Sequence, residues 1–140
     1  MKEKGRVLGL DLGEVRIGVA VSDPERRVAV PLGTVRAGAP QDLRAISHMV
    51  EENNVTLVVV GHPLSLSGAS GRQAQNAEKF AQALDAVLSV PVTLHDERLS
   101  TAEANRGLRA AGAPGSKRRK AVDRSAATVI LQSYLDTETA

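Results

Sequence analysis

The chain begins with two short apolar segments whose residues alternate in the manner of β-strands. These segments are Val7–Leu12 and Arg16–Ser22, and Gly13–Glu14 lies between them. A connection this short joins antiparallel strands, so the pattern predicts a β-hairpin. A third strand is predicted over Arg27–Val35. Because Pro31 within it has no N–H to donate, we expect this strand at an edge of the sheet.

The rest of the chain alternates between helical and strand patterns. Val55–Gly61 is apolar almost throughout, which is typical of a strand buried on both faces of a parallel sheet, and Val90–His95 is a shorter strand. Aliphatic residues spaced three and four positions apart indicate helices with one buried face. Four such helices are predicted: Pro40–Asn53, Arg72–Leu88, Thr101–Ala111 and a last helix from near Lys117 to Leu135.

The order of these elements, βββαβαβαα, predicts an α/β fold. Hairpins join the first three strands, and helical crossovers bring strands four and five in as parallel neighbours. Placing strand four beside strand one gives a five-stranded mixed sheet of order 3-2-1-4-5, with strand 2 antiparallel and helices on both faces. The 140 residues are expected to form a single domain, 1–140.

The composition limits the chemistry that is available to the chain. It has no cysteine, which excludes disulfides and thiolate metal sites. Phe80 and Tyr134 are the only aromatic residues, so base stacking is a poor basis for binding single strands. No apolar run approaches the roughly 20 residues that cross a membrane. We therefore expect no membrane partner and a cytoplasmic location.

Acidic residues from three distant segments are predicted to meet at one edge of the sheet. Asp11 lies near the carboxyl end of strand one, Asp96 and Glu97 follow strand five at the same end, and Asp123 lies on the inner side of the last helix. Ligand sites of open α/β sheets lie at that end. Carboxylate oxygens suit Mg²⁺ or Mn²⁺. Two such ions about 4 Å apart can activate water against a phosphodiester.

Each acid also has a purely structural interpretation. Aspartate before glycine is common in turns, which would explain Asp11. Asp96 and Glu97 could simply cap the helix that follows, and Asp123 could be a solvated helix residue. The metal interpretation depends on all of these segments lying at one end of one sheet.

Four segments resemble, in the same order, the motifs of the YqgF-type family, whose members are described as Holliday-junction-resolvase-like proteins and pre-16S rRNA nucleases. They are GLDLGEVRIGVAVSD, VVVGHPLSLSG, HDERLSTAEA and KRRKAVDRSAATVILQSYL, and together they span Arg6 to Leu135. The resemblance implies a ribonuclease-H-like fold and metal-dependent phosphodiester hydrolysis. It places the catalytic and metal-binding positions of the family on Asp11, Glu97 and Asp123. The chain departs from the family in the loop SLSG and in His62, where an apolar residue is frequent.

Several cations lie close in sequence to these acids and are candidates for binding nucleic acid. The net charge is only +2, but four consecutive cations precede Asp123, and Arg16 and Arg98 each lie near another acid. Phosphate contacts of this kind add affinity that depends on salt and not on sequence. The alternatives are a solvated basic loop and structural salt bridges. The candidates are Arg16, Arg98, Lys117, Arg118, Arg119 and Lys120.

These features together predict a metal-dependent endonuclease that acts on structured nucleic acid. The family resemblance points to processing of the 5′ end of pre-16S rRNA, by a monomer or a homodimer. One alternative is resolution of branched DNA, which requires a dimer, and another is an RNA-binding module without catalysis. A further hypothesis is a fragment of an ATPase, because sugar kinases also begin with a DxG hairpin. Those proteins need two lobes, and the chain has no phosphate-binding GxxxxGK[ST] motif.

Overall fold

The computed structural model describes residues 4–99 and 125–139, and within them the chain folds as one sheet with helices on both faces. The strands are β1 (Arg6–Leu12), β2 (Arg16–Ser22), β3 (Ala29–Arg36), β4 (Val55–His62) and β5 (Val92–Asp96). The helices are α1 (Gln41–Glu52), α2 (Arg72–Val87) and α3 (Ala126–Thr139). A short 3-10 turn, Glu97–Leu99, follows β5 directly. The predicted strands and the first two helices agree with these bounds to within two residues.

The sheet has the predicted order, β3-β2-β1-β4-β5. Strand β2 pairs antiparallel with β1 and β3, whereas β4 pairs parallel with β1 and β5. Strand β3, which contains Pro31, lies at an edge as expected, since proline cannot complete a ladder on both sides. The carboxyl ends of β1, β4 and β5 therefore lie at the same end of the sheet.

The two faces of the sheet carry separate cores. Leu8 and Leu10 of β1 point to the face covered by α1 and α2, whereas Val7 packs beneath α3 with Val59 of β4. This alternation follows from the period of two in a strand. Gly9 brings α3 close to the sheet, because a Cβ at that position would lie 2.7 Å from the Cβ of Leu131.

The last helix starts later than the sequence pattern indicates. The prediction of a start near Lys117 is wrong, because Ser125 is the N-cap of a helix that begins at Ala126 and continues past Leu135 to Thr139. The Ser125 Oγ accepts a hydrogen bond from the Thr128 N–H at 3.2 Å, as a capping serine does. The predicted helix Thr101–Ala111 lies outside the described residues.

None of the helices within residues 4–99 and 125–139 has the length and apolar character that a membrane span requires.

Candidate functional site

Asp11 lies near the carboxyl end of β1 and faces α3. It is paired across the ladder with Gly18 of β2. A Cβ built at Gly18 would lie 3.8 Å from the Cβ of Asp11 and 3.5 Å from that of Ala127, in the first turn of α3. The half-buried Asp11 side chain thus lies beside a residue without a side chain, next to the start of a helix.

Glu97 is buried on the same face of the sheet, with only 4% of its surface exposed. Its carboxylate packs over Gly61 of β4. A Cβ built at Gly61 would lie 2.9 Å from Glu97 Oε2 and 2.7 Å from Ile130 Cδ1 of α3. The space for this carboxylate therefore exists because β4 has a glycine at this position.

The register of the sheet places these two carboxylates over adjacent strands. Strands β1 and β4 pair in parallel through Gly9 with Val59 and Leu10 with Val60. The next residues along the two strands are Asp11 and Gly61. The Glu97 carboxylate therefore lies over the strand adjacent to Asp11, at the carboxyl end of the parallel strands, where ligand sites of such sheets occur.

Asp96 belongs to a different part of the structure. It is paired with Arg98 through Nη2 to Oδ2 at 2.7 Å and through Nε to both carboxylate oxygens. The side-chain hydrogen bond from Arg98 is the main reason that the pKa of Asp96 is lowered. Its partner on the adjacent strand β4 is His62, whose side chain binds Glu78 of α2. Because paired residues point to the same face of the sheet, Asp96 points away from α3. Asp96 thus shapes the turn after β5.

Arg98 also holds the loop between β4 and α2. Its Nη1 donates to the carbonyl of Leu66 at 3.3 Å. This arrangement corresponds to the structural salt bridge that the sequence left open as one role for Arg98. A contact between Arg98 and nucleic acid stays a prediction.

Arg16, the other isolated cation, lies exposed at the start of β2 and directly opposite Arg36 of β3. Sequence reasoning did not select Arg36, because cross-strand neighbours become visible only once the register is known.

The third predicted acid, Asp123, lies outside the described residues, as do Lys117, Arg118, Arg119 and Lys120. Among the residues that the structure describes, no group of three or more histidine and acidic side chains is close enough to hold a metal ion. Within that part of the chain, the candidate site consists of Asp11 and Glu97, beside Gly18 and Gly61.

His62 lies on the opposite face from the two carboxylates. Its Nε2 lies 2.6 Å from Glu78 Oε2, and the Ser70 hydroxyl donates to the same oxygen at 2.9 Å. The hydrogen bond with His62 is the largest cause of the lowered pKa of Glu78. Glu78 of α2 therefore joins the end of β4 to the loop that follows it, and His62 does not share a face with the two carboxylates.

Comparisons with known proteins identify the family of the chain. The family model RuvX, described as Holliday junction resolvase, matches residues 5–137. A protein of Chloroflexus aggregans named "Putative pre-16S rRNA nuclease" is 47% identical over 93% of this chain and 92% of its own length. A protein of the same name from Anaeromyxobacter dehalogenans is 49% identical over 94% of this chain and 96% of its own length.

Solved structures support the fold. The RuvC protein of Thermus thermophilus superposes with a TM-score of 0.54, and the same protein in complex with a Holliday junction substrate does so with 0.53. Each alignment covers 96% of both chains at 14% identity, so the likeness concerns the fold alone.

The sheet order and the likeness to RuvC define a ribonuclease-H-like fold. The family model and the relatives make the protein a nuclease, a hydrolase of phosphodiester bonds in nucleic acid. The chain belongs to the RuvX family, and the resemblance to YqgF-type proteins is thereby confirmed.

Proposed function

We propose that the protein is a divalent-metal-dependent endonuclease that processes pre-16S rRNA, with Asp11, Glu97 and Asp123 as its catalytic residues. The observation that carries this proposal is the convergence of Asp11 and the buried Glu97 over adjacent strands. The choice of substrate rests on relatives that are 47% and 49% identical over more than nine tenths of the chain and that carry the name "Putative pre-16S rRNA nuclease".

The donor set fits Mg²⁺ or Mn²⁺. Oxygen donors from aspartate and glutamate are those that hard divalent cations prefer. Asp11 and Glu97 would hold the ion, with Asp123 as the third ligand that the family resemblance implies. When bound, such an ion would polarise the scissile phosphate and lower the pKa of the attacking water.

The protein groups around the carboxylates hold them in place and contribute to the local electrostatic field. The Glu97 carboxylate and the end of Ile130 both pack against Gly61, and Glu97 is buried, so its carboxylate has little freedom to turn away. The first turn of α3 lies over Gly18, beside Asp11. The N-terminus of a helix carries partial positive charge, which favours the carboxylates and an incoming phosphate.

The remaining cations are proposed to hold the substrate. Arg16 and Arg98 lie at the same end of the sheet as the acids. Lys117, Arg118, Arg119 and Lys120 precede Asp123 in the sequence. Contacts of these side chains with phosphates would orient the nucleic acid without reading its sequence.

The test is cleavage of a labelled pre-16S rRNA fragment with Mg²⁺ or Mn²⁺ by the wild type and by Asp11→Asn, Glu97→Gln and Asp123→Asn. Loss of a metal ligand should reduce the rate by at least about 100-fold, the upper end of what losing an outer-shell partner costs. Asp85→Asn, an exposed acid on α2, is the matched control and should keep full activity. Cleavage that survives the substitutions at Asp11 and Glu97 would falsify the proposed site.

A second candidate function is the resolution of branched DNA, which the family description favours. It uses the same acids but needs two active sites, and hence a homodimer, whereas a monomer is sufficient to cut RNA. A labelled four-way junction in the same assay separates the two functions. Cleavage of the junction but not of the rRNA fragment would move the assignment to DNA.

A further inference from the structure

Arg16 and Arg36 form the last cross-strand pair of the ladder between β2 and β3. Directly opposite residues in an antiparallel pair have Cβ atoms about 4.5–5.5 Å apart. Two guanidinium groups can therefore reach the same point in space.

The two arginines point to the same face as Asp11. The next pair inward, Ile17 and Val35, is buried in the core beneath α1 and α2. Because side chains alternate along a strand, Arg16 and Arg36 point to the face that α3 covers.

The pair also lies near Asp11 along the sheet. Thr34, Gly18 and Asp11 are consecutive cross-strand neighbours in one row, and the arginines occupy the next row on that face, toward the end where the site lies. Two strand spacings separate β3 from β1, which is about 10 Å. The pair thus flanks the carboxylate site.

The charges of this pair are not balanced by the described part of the chain. Within residues 4–99 and 125–139, the ion pairs do not include Arg16 or Arg36, and both side chains are exposed. Like charges placed directly opposite each other destabilise a sheet. A cleft of about 230 Å³ lies between them, lined by Val15, Arg16, Thr34 and Arg36.

We infer that Arg16 and Arg36 together bind one phosphate of the nucleic-acid backbone next to the cleavage site, an inference that rests on the proposed function. Guanidinium groups match phosphate oxygens with paired hydrogen bonds, and the Thr34 hydroxyl in the same cleft is a further donor. A phosphate held there would set the register of the strand that enters the carboxylate site.

The experiment measures binding of the labelled pre-16S rRNA fragment between about 50 and about 200 mM salt, without added divalent metal. The variants are Arg16→Gln, Arg36→Gln and the double substitution. Arg44→Gln, an exposed arginine on α1 at the other face, is the matched control. Each single variant should bind more weakly than the wild type and the control.

The salt dependence identifies a shared phosphate. The plot of log K against log salt has a negative slope. The double substitution should reduce the magnitude of this slope by about one in total, because one phosphate releases about one counterion. A decrease of about two would mean two separate contacts and would overturn the shared site. Slopes equal to that of Arg44→Gln would also overturn it.

Two further measurements separate this inference from other outcomes. The melting temperatures of the variants should not fall, because each substitution removes a like-charge contact. Inorganic phosphate could raise the melting temperature of the wild type while neither substitution changes the salt dependence of RNA binding. In that case the pair binds a free anion and the inference fails. Cleavage with Mg²⁺, and its loss in Asp11→Asn, tests the proposed function independently of these slopes.

Discussion

Gly61 is the residue on which the position of Glu97 depends. Its lack of a side chain leaves the space that the Glu97 carboxylate and the end of Ile130 share. A glycine in a strand normally weakens it, since it has no side chain to pack and more backbone entropy to lose. Here the glycine allows a carboxylate to lie against the backbone of the sheet.

Replacing Gly61 with alanine adds only one methyl group, but it should disturb the site strongly. The new Cβ would lie 2.9 Å from Glu97 Oε2 and 2.7 Å from Ile130 Cδ1, so one or both groups must move. We expect a loss of about 1–3 kcal/mol in the free energy of unfolding. We also expect cleavage to fall by about 10-fold or more, as when the support of a metal ligand is lost.

The control for this prediction is Gly71→Ala, because a Cβ at Gly71 meets no atom within 4 Å. Cleavage rate and its dependence on metal concentration would be measured for both variants. If the Gly61→Ala variant is less stable but its cleavage rate depends on metal concentration as that of the wild type does, Gly61 has only a packing role.

The loop between β4 and α2 is fastened to elements on either side by charged groups. Glu78 of α2 accepts hydrogen bonds from Ser70 within the loop and pairs with His62 at the end of β4. Arg98, just after β5, donates to the carbonyl of Leu66. These contacts hold an exposed loop next to the end of the sheet that carries the acids.

The Glu78 contacts predict a pH dependence of stability. His62, followed by Ser70, lowers the pKa of Glu78 in the folded state. The ionised carboxylate therefore stabilises the fold above the ordinary glutamate pKa, and this contribution is lost as the pH falls through the lowered value. Denaturant unfolding between about pH 6 and about pH 3 should show a steeper loss for the wild type than for Glu78→Gln.

The matched control is Glu52→Gln, which breaks a second histidine–glutamate pair, with His48 on the exposed surface of α1. Its pH profile should follow that of the wild type, because exposed pairs contribute little. Identical profiles for Glu78→Gln and the wild type would show that the loop contact does not stabilise the ionised form.

The acidic site joins parts of the molecule that are far apart in the chain. Asp11 belongs to the first strand, Glu97 follows the fifth, and α3 packs over both of the glycines beside them. A ligand that contacts both carboxylates therefore favours the folded state of the sheet as a whole. Such a ligand raises stability according to its concentration relative to its dissociation constant.

Metal binding should accordingly raise the melting temperature. At Mg²⁺ or Mn²⁺ concentrations of about 100 times the dissociation constant, the folded state should gain about 2.7 kcal/mol. The shift should shrink in Asp11→Asn and Glu97→Gln, persist in Asp85→Asn, and disappear with a chelator. An equal shift in all of these proteins would place the ion elsewhere.

The apolar patterns of the chain are sufficient to predict the sheet. Alternation in β1 and β2, the short turn between them, Pro31 in β3 and the apolar run of β4 imply the order of the strands and the exposed edge. Local backbone preferences and the need to bury one or both faces govern these features, and both can be read from neighbouring residues. The same reasoning places Asp11 and Glu97 at one end of the sheet.

The face of the sheet on which each polar side chain lies could not be predicted from these patterns. A shift of one residue in register reverses every side chain of a strand, so pairing between distant strands decides the outcome. That pairing sets Glu97 over Gly61 and places Asp96 and His62 on the face opposite Asp11. It also sets Arg16 against Arg36, a contact between residues 20 positions apart that no local pattern contains.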